Sequence, residues 1–156
     1  MKQSWISDDQ ALRLIERAAE KRHLPAMVEL GLCYYSGRWV SASQAKAMEL
    51  WTKAAKLGSR EAKIRIAITQ VRSQKPDVPL EQSTETLDNA THAGSVLAQV
   101  ALGYCYEYGI GVPRSRPQAA RLYRSAAQRG SQDAIRALRK MHDEIRPSDK
   151  EFRVED

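Results

Sequence analysis

Apolar residues recur along this chain at spacings of three and four, in short bursts separated by Gly-, Ser- and Pro-containing turns. That period predicts amphipathic helices and no strands. From about Pro25 to Ser36, Ala26, Leu30, Gly31 and Tyr34 fall at helical spacing, and Ala47, Leu50, Trp51, Ala54 and Ala55 do the same after a turn. The bursts are too short and too polar on one side for a membrane span.

Sliding the chain on itself by 36 residues brings the bursts into register. Ala19, Ala55, Thr91 and Ala127 align, then Ala26, Ala62, Ala98 and Ala134, then Leu30, Ile66, Leu102 and Leu138. Gly31 matches Gly103, Cys33 matches Cys105, Tyr34 matches Tyr106 and Gly37 matches Gly109. Gly58-Ser59, Gly94-Ser95 and Gly130-Ser131 coincide as well. A constant period without insertions marks a repeat architecture, in which each unit buries its apolar face on its neighbours.

Each unit reads as two helices. The first (A) carries Gly31 or Gly103 in its interior, which costs about 1 kcal/mol of helix propensity against Ala. The recurrence of those glycines predicts close helix approach. The second (B) is expected to start at a capping box, Ser41 with Gln44 in one copy and Ser115 with Gln118 in another. Ala119, Leu122, Tyr123, Ala126 and Ala127 form the later B helix's buried face. Gly58 and Gly130 suit the left-handed position past a helix end, and the Ser after each can cap the next A helix.

The register divides the chain, read as one domain, into a capping B helix over 7–22 and repeats over 24–58, 60–94 and 96–130. A terminal A helix over 131–146 and a tail over 147–156 complete it. The first helix is opened by Ser7 and Gln10 and buries Leu12, Ile15, Ala18 and Ala19. The last uses Ile135, Leu138, Met141 and Ile145 and stops before Pro147. Repeat 2 is degraded: Ser73 and Lys75 replace turn glycines, and Pro76 and Pro79 predict a loop of different shape. The fold class expected is all-α, a solenoid of stacked antiparallel helix pairs with about eight helices.

Charge changes this picture in one place. The chain carries +6, but Arg114 to Lys140 alone holds eight basic residues against Asp133. Residues 74–99 lean acidic, with Asp77, Glu81, Glu85 and Asp88 against Lys75. This polarity bears on partners rather than on fold. The opening residues lack the apolar run of a signal peptide, so the cytoplasm is the expected compartment. A mature secreted form without its leader would look the same, which leaves the periplasm open. Cys33 and Cys105 have no metal-ligand spacing.

These residues resemble the Sel-one-like repeat, a variant of the tetratricopeptide repeat. The pattern stands as Ala26, Leu30, Gly31, Tyr34, Gly37, Val40, Ala47, Trp51, Ala54, Ala55 and Gly58. It stands more fully as Ala98, Leu102, Gly103, Tyr106, Gly109, Gly111, Val112, Ala119, Tyr123, Ala126, Ala127 and Gly130. Trp39 replaces the second loop glycine in the first copy. The resemblance covers roughly residues 10–140 and implies a right-handed superhelix with A helices lining a concave face. It implies binding of another protein or peptide as a class, and bacterial members are commonly adaptors, regulators or partners of secreted effectors. Some members are cross-linked by disulfides, but Cys33 and Cys105 stand two units apart and are read as core residues.

By analogy with the parent repeat, the groove-facing positions are Val28, Leu32 and Tyr35, then Ile64, Ile68 and Val71, then Val100, Tyr104 and Tyr108. They are mostly apolar, as a binding strip would be; the alternative is that curvature buries part of the strip as core. Arg121, Arg124, Arg136 and Lys140 form a second candidate, for docking an acidic segment or a phosphate backbone. A solvated basic face is the commoner source of such a run. Nucleic acid is disfavoured, because base stacking needs aromatic platforms among the cations and only Tyr123 is there. Catalysis finds little support. His23, His92 and His142 hold unrelated register positions, Glu20 and His23 make a single Glu-x-x-His, and Gly109-Ile110-Gly111 lacks the third glycine and strand of a dinucleotide loop. No metal, cofactor or nucleophile–base pair is expected.

Overall fold

The computed structural model describes residues 5–145, and the side chains of 5–142. Among the described residues the regular elements are eight α-helices. They are α1 (Asp8–Glu20), α2 (Leu24–Ser36), α3 (Gln44–Lys56), α4 (Arg60–Ser73), α5 (Leu80–His92), α6 (Val96–Tyr108), α7 (Arg116–Gln128) and α8 (Gln132–Ile145). The B-type helices start at Asp8, Gln44, Leu80 and Arg116, and the A-type at Leu24, Arg60, Val96 and Gln132. Every start therefore lies 36 residues after its equivalent. The all-α solenoid class read from the sequence holds. The expected tail, the stop at Pro147 and the side chain of Ile145 lie outside the described residues.

Local chemistry explains these starts. Ser7 accepts from the Gln10 N–H while the Gln10 side chain accepts from the Ser7 N–H, closing the expected capping box. Ser115 accepts from the Gln118 N–H. In repeat 1 the cap is Ser43, which accepts from the Lys46 N–H at 3.3 Å, and not Ser41. Ser43 is the register mate of Ser115, and its extended backbone aims the hydroxyl at the first turn. Repeat 2 has Pro79 at this place, without a side-chain bond to α5. Its loop does differ: α4 runs on through Ser73, and the left-handed residue becomes Gln74 (φ 45°).

The B-to-A turns are nearly identical. Gly58, Gly94 and Gly130 take φ of 98°, 94° and 90°. Ser59, Ser95 and Ser131 then accept from the N–H groups of Ala62, Ala98 and Ala134. The first such turn uses other residues. Arg22 sits at φ 59°, and His23 Nδ1 accepts from the Ala26 N–H at 3.3 Å. His23 is thus a helix cap, a role its Glu-x-x-His spacing did not suggest. A side chain in the left-handed region costs about 1–2 kcal/mol. Arg22→Gly is accordingly expected to raise the unfolding free energy by about 1 kcal/mol, after the extra freedom glycine gives the unfolded chain; urea unfolding checks the sign.

The helices fall into two compact units, residues 1–73 with α1–α4 and residues 74–156 with α5–α8. In the first, α2 packs against α1 and α3, and α3 against α4. Its core is Met27, Val28, Ala47, Trp51, Ala54 and Ala62. In the second, α6 packs against α5 and α7, and α7 against α8. Ala119, Tyr123, Ala126, Ala134 and Met141 form its buried cluster. The helix glycines have the packing role their recurrence predicted. A Cβ on Gly31 would lie 2.7 Å from Trp51 Cδ1, and one on Gly103 2.6 Å from Tyr123 Cε1. Real Cβ atoms do not approach so closely, so glycine is what admits the ring. Helix α1 buries nothing completely; Leu12, Ile15, Ala18 and Ala19 are half-buried, as suits a terminal helix.

Candidate interaction face

The candidate strip on the A helices is part core and part surface. Val28, Ile64 and Val71 are buried and do not offer themselves to a partner, contrary to the expectation that they face a groove. Val28 lies on α2, which has a B helix on each side in α1 and α3 and so packs two faces rather than one. Val28 belongs to the first core cluster, and its carbonyl accepts from Trp51 Nε1 at 3.1 Å. Leu32, Ile68, Val100 and Tyr104 are half-buried, and Tyr35 and Tyr108 are exposed at 44% and 46%.

Tyr108 also breaks the 36-residue register that the other strip residues keep. The residue in the column of Tyr35 and Val71 is Glu107, which is buried and accepts from the Tyr123 hydroxyl at 2.8 Å. Burial and this carboxylate push the Tyr123 hydroxyl's pKa well up. The sequence did signal Glu107, as an acid in the column that Tyr35 and Val71 hold in the other two repeats.

In the second unit the exposed residues form a defined cluster. The rings of Tyr104 and Tyr108, one helical turn apart on α6, have centroids 4.7 Å apart and planes tilted by 51°. Lys140 on α8 donates to the Tyr108 hydroxyl at 2.8 Å and lies 5.6 Å from that ring's centroid. Two candidates that the sequence kept apart, the aromatic strip and the basic run, meet here. A tyrosine pinned at ring and hydroxyl loses little entropy on binding, which suits it to anchor a contact. In the first unit Tyr35 stands 5.7 Å from the Trp51 ring, its own ring supported from beneath by the core.

The remaining cations are placed differently. Arg121 and Arg124 on α7 are exposed, and Arg136 is exposed beside Asp133 at 3.9 Å. Among the described residues no group of three His, Cys, Asp or Glu is placed to hold a metal. Cys33 and Cys105 are free and buried. Burial pushes the Cys105 thiol up to about 12, so it is no nucleophile at neutral pH. Among the described residues no helix is long and apolar enough to cross a membrane.

Comparison with known proteins agrees with this organisation. The Sel1 repeat family model matches residues 6–23, 24–59 and 96–131, passing over the degraded repeat 2. A chitin synthase regulator of Saccharomyces cerevisiae is 28% identical over 132 residues, 83% of this chain. The match covers 19% of that protein, so the chain spans less than a fifth of its relative's length. Among solved structures, a Sel1 repeat protein of Oxalobacter formigenes has a TM-score of 0.57 at 27% identity, covering 83% of this chain and 98% of its own. A protective antigen of uropathogenic Escherichia coli displaying an SLR fold has a TM-score of 0.65 at 28% identity, over 88% of this chain and 30% of the antigen. Cysteine-rich protein B of Helicobacter pylori shares the fold, with a TM-score of 0.53 at 22% identity over 85% of this chain and all of its own.

Proposed function

Because this chain belongs to the Sel1 repeat family, we propose that it is a non-catalytic module that holds a partner protein or peptide against the exposed aromatic surface of its A helices. The observation that carries this is the Tyr104–Tyr108–Lys140 cluster, two tilted rings in contact and an ammonium fixed to the hydroxyl of the exposed one. Nothing in the core needs Tyr108, whereas rigid tyrosines at a surface are what hot spots are made of. Val100 adds to this surface on α6, and Leu32 and Tyr35 on α2 with Ile68 on α4 offer the same kind of residue in the first unit.

The role we assign is that of an adaptor, regulator or effector-neutralising protein, one that acts by engaging another chain. The yeast relative, itself a regulator, fits that mode. Arg121 and Arg124 steer an acidic partner toward the face rather than hold it, since exposed cations mainly affect association rate. Capture from native lysate at low and at high salt tests this reading. A complex anchored on tyrosines persists in high salt, while a complex held by the exposed arginines dissociates. Loss of the complex at high salt would replace the aromatic face with a basic docking surface for acidic chains.

A further inference from the structure

A second surface lies in the first unit, where α1 and α3 flank a cleft of about 840 Å³ over the N-terminal half of α2. Met27 and Leu30 form its floor, and Leu50 and the exposed Leu57 lie on the α3 side. Its two rims carry opposite charge. Glu16 and Glu20 stand on α1, with the cation Arg22 just past its end, and Lys53 and Lys56 stand on α3. Lys53 is held by Glu49 at 2.7 Å.

The repeat itself provides a control for what this cleft means. At the matching place in the second unit, one side chain bridges from the end of α7 to the turn after α5. Arg129 donates to the Gly94 carbonyl at 2.8 Å, and beneath it Gln99 on α6 donates to the Leu122 carbonyl of α7 at 3.2 Å. The register mates of Arg129 and Gln99 are Leu57 and Met27, which have no donor to reach across with. The basic rim is absent there too, since Ser125 and Gln128 stand in the places of Lys53 and Lys56, while Asp88 keeps an acid in the place of Glu16. The first unit thus replaces the bridging Arg129 by the apolar Leu57 and adds a basic rim opposite the glutamates of α1.

We propose that this cleft docks an amphipathic helix of a partner protein, with an apolar stripe flanked by basic residues on one edge and acidic residues on the other. Size and charge both argue for that occupant. A helix about 10 Å across fills 840 Å³ over about two turns. Its basic edge meets Glu16 and Glu20 while its acidic edge meets Lys53 and Lys56; a helix with one sign on both edges meets a like-charged rim. The site is separate from the A-helix face and does not depend on it.

Three synthetic helical peptides with one leucine stripe test the proposal on the full chain. One has lysines on one flank and glutamates on the other, one has lysines on both, and one has glutamates on both. Fluorescence anisotropy should show the mixed peptide binding at least about tenfold tighter than either uniform one. Leu57→Arg, which restores the bridging residue on an exposed position, should abolish its binding. Lys53→Glu with Lys56→Glu should transfer the preference to the all-lysine peptide, and Tyr104→Asp with Tyr108→Asp should change nothing. Equal affinity for the three peptides, no binding at about 1 mM, or binding that survives Leu57→Arg overturns the proposal. So does self-association of the chain that is lost in Leu57→Arg, because the cleft would then belong to a second copy.

Discussion

Gly31→Leu is expected to lower the unfolding free energy by about 3 kcal/mol, at the upper end of what overpacking a close-packed core costs. The place a side chain would need is already filled, with Trp51 Cδ1 2.7 Å from the position of the first added carbon. The indole cannot retreat cheaply, since it is 1% exposed and donates to the Val28 carbonyl at 3.1 Å. Gly103→Leu meets Tyr123 in the same way, and moving that ring also strips the buried Glu107 of its hydroxyl donor. Urea unfolding followed by circular dichroism checks both. An unchanged midpoint would mean that the rings do not pack against the glycines. Trp51→Leu should relieve much of the strain in Gly31→Ala. Repeat 2 shows the compensation already in the sequence, with Ala67 and Leu87 at the two register positions.

The largest expected effect on binding is that of Tyr104→Asp with Tyr108→Asp, which should weaken capture of the partner by about 100-fold or more, as loss of paired hot-spot residues does. Two carboxylates would replace the ring pair and confront the protein's own ammonium, Lys140, instead of a partner. Helicity and melting temperature should change little, because Tyr108 is 46% exposed and Tyr104 half-buried. Arg121→Glu with Arg124→Glu should slow association and leave the formed complex intact. Stopped-flow binding separates the two effects.

The repeat made most of the fold legible before any coordinates. A fixed period locates each helix from its equivalents, and Gly31 with Trp51, or Gly103 with Tyr123, is a volume exchange that two copies repeat. The misplaced cap at Ser41 came from pairing a serine with a glutamine locally; the register itself points to Ser43, the mate of Ser115. The strip was harder to read for a physical reason. Helices α2 and α6 are packed by a B helix on each side and are apolar nearly all round, so no polar face shows which apolar residues stay in water. Val28 was therefore indistinguishable in sequence from Leu32, and Glu107 was passed over for its exposed neighbour Tyr108. The contact of Lys140 with Tyr108 joins residues 32 positions apart. Nothing in local periodicity could supply it. The cap at His23 was missed because the other three copies use serine.

The central claim, that the aromatic surface of the A helices is where a partner sits, is tested most directly by a photo-crosslinking residue placed singly at positions 35, 108, 121 and 124. Each variant is irradiated in native lysate and the adducts are identified by mass spectrometry. The account predicts adducts from positions 108 and 35 that persist in high salt, and none from 121 and 124. An adduct formed from 121 or 124 and absent from 108 and 35 would contradict it.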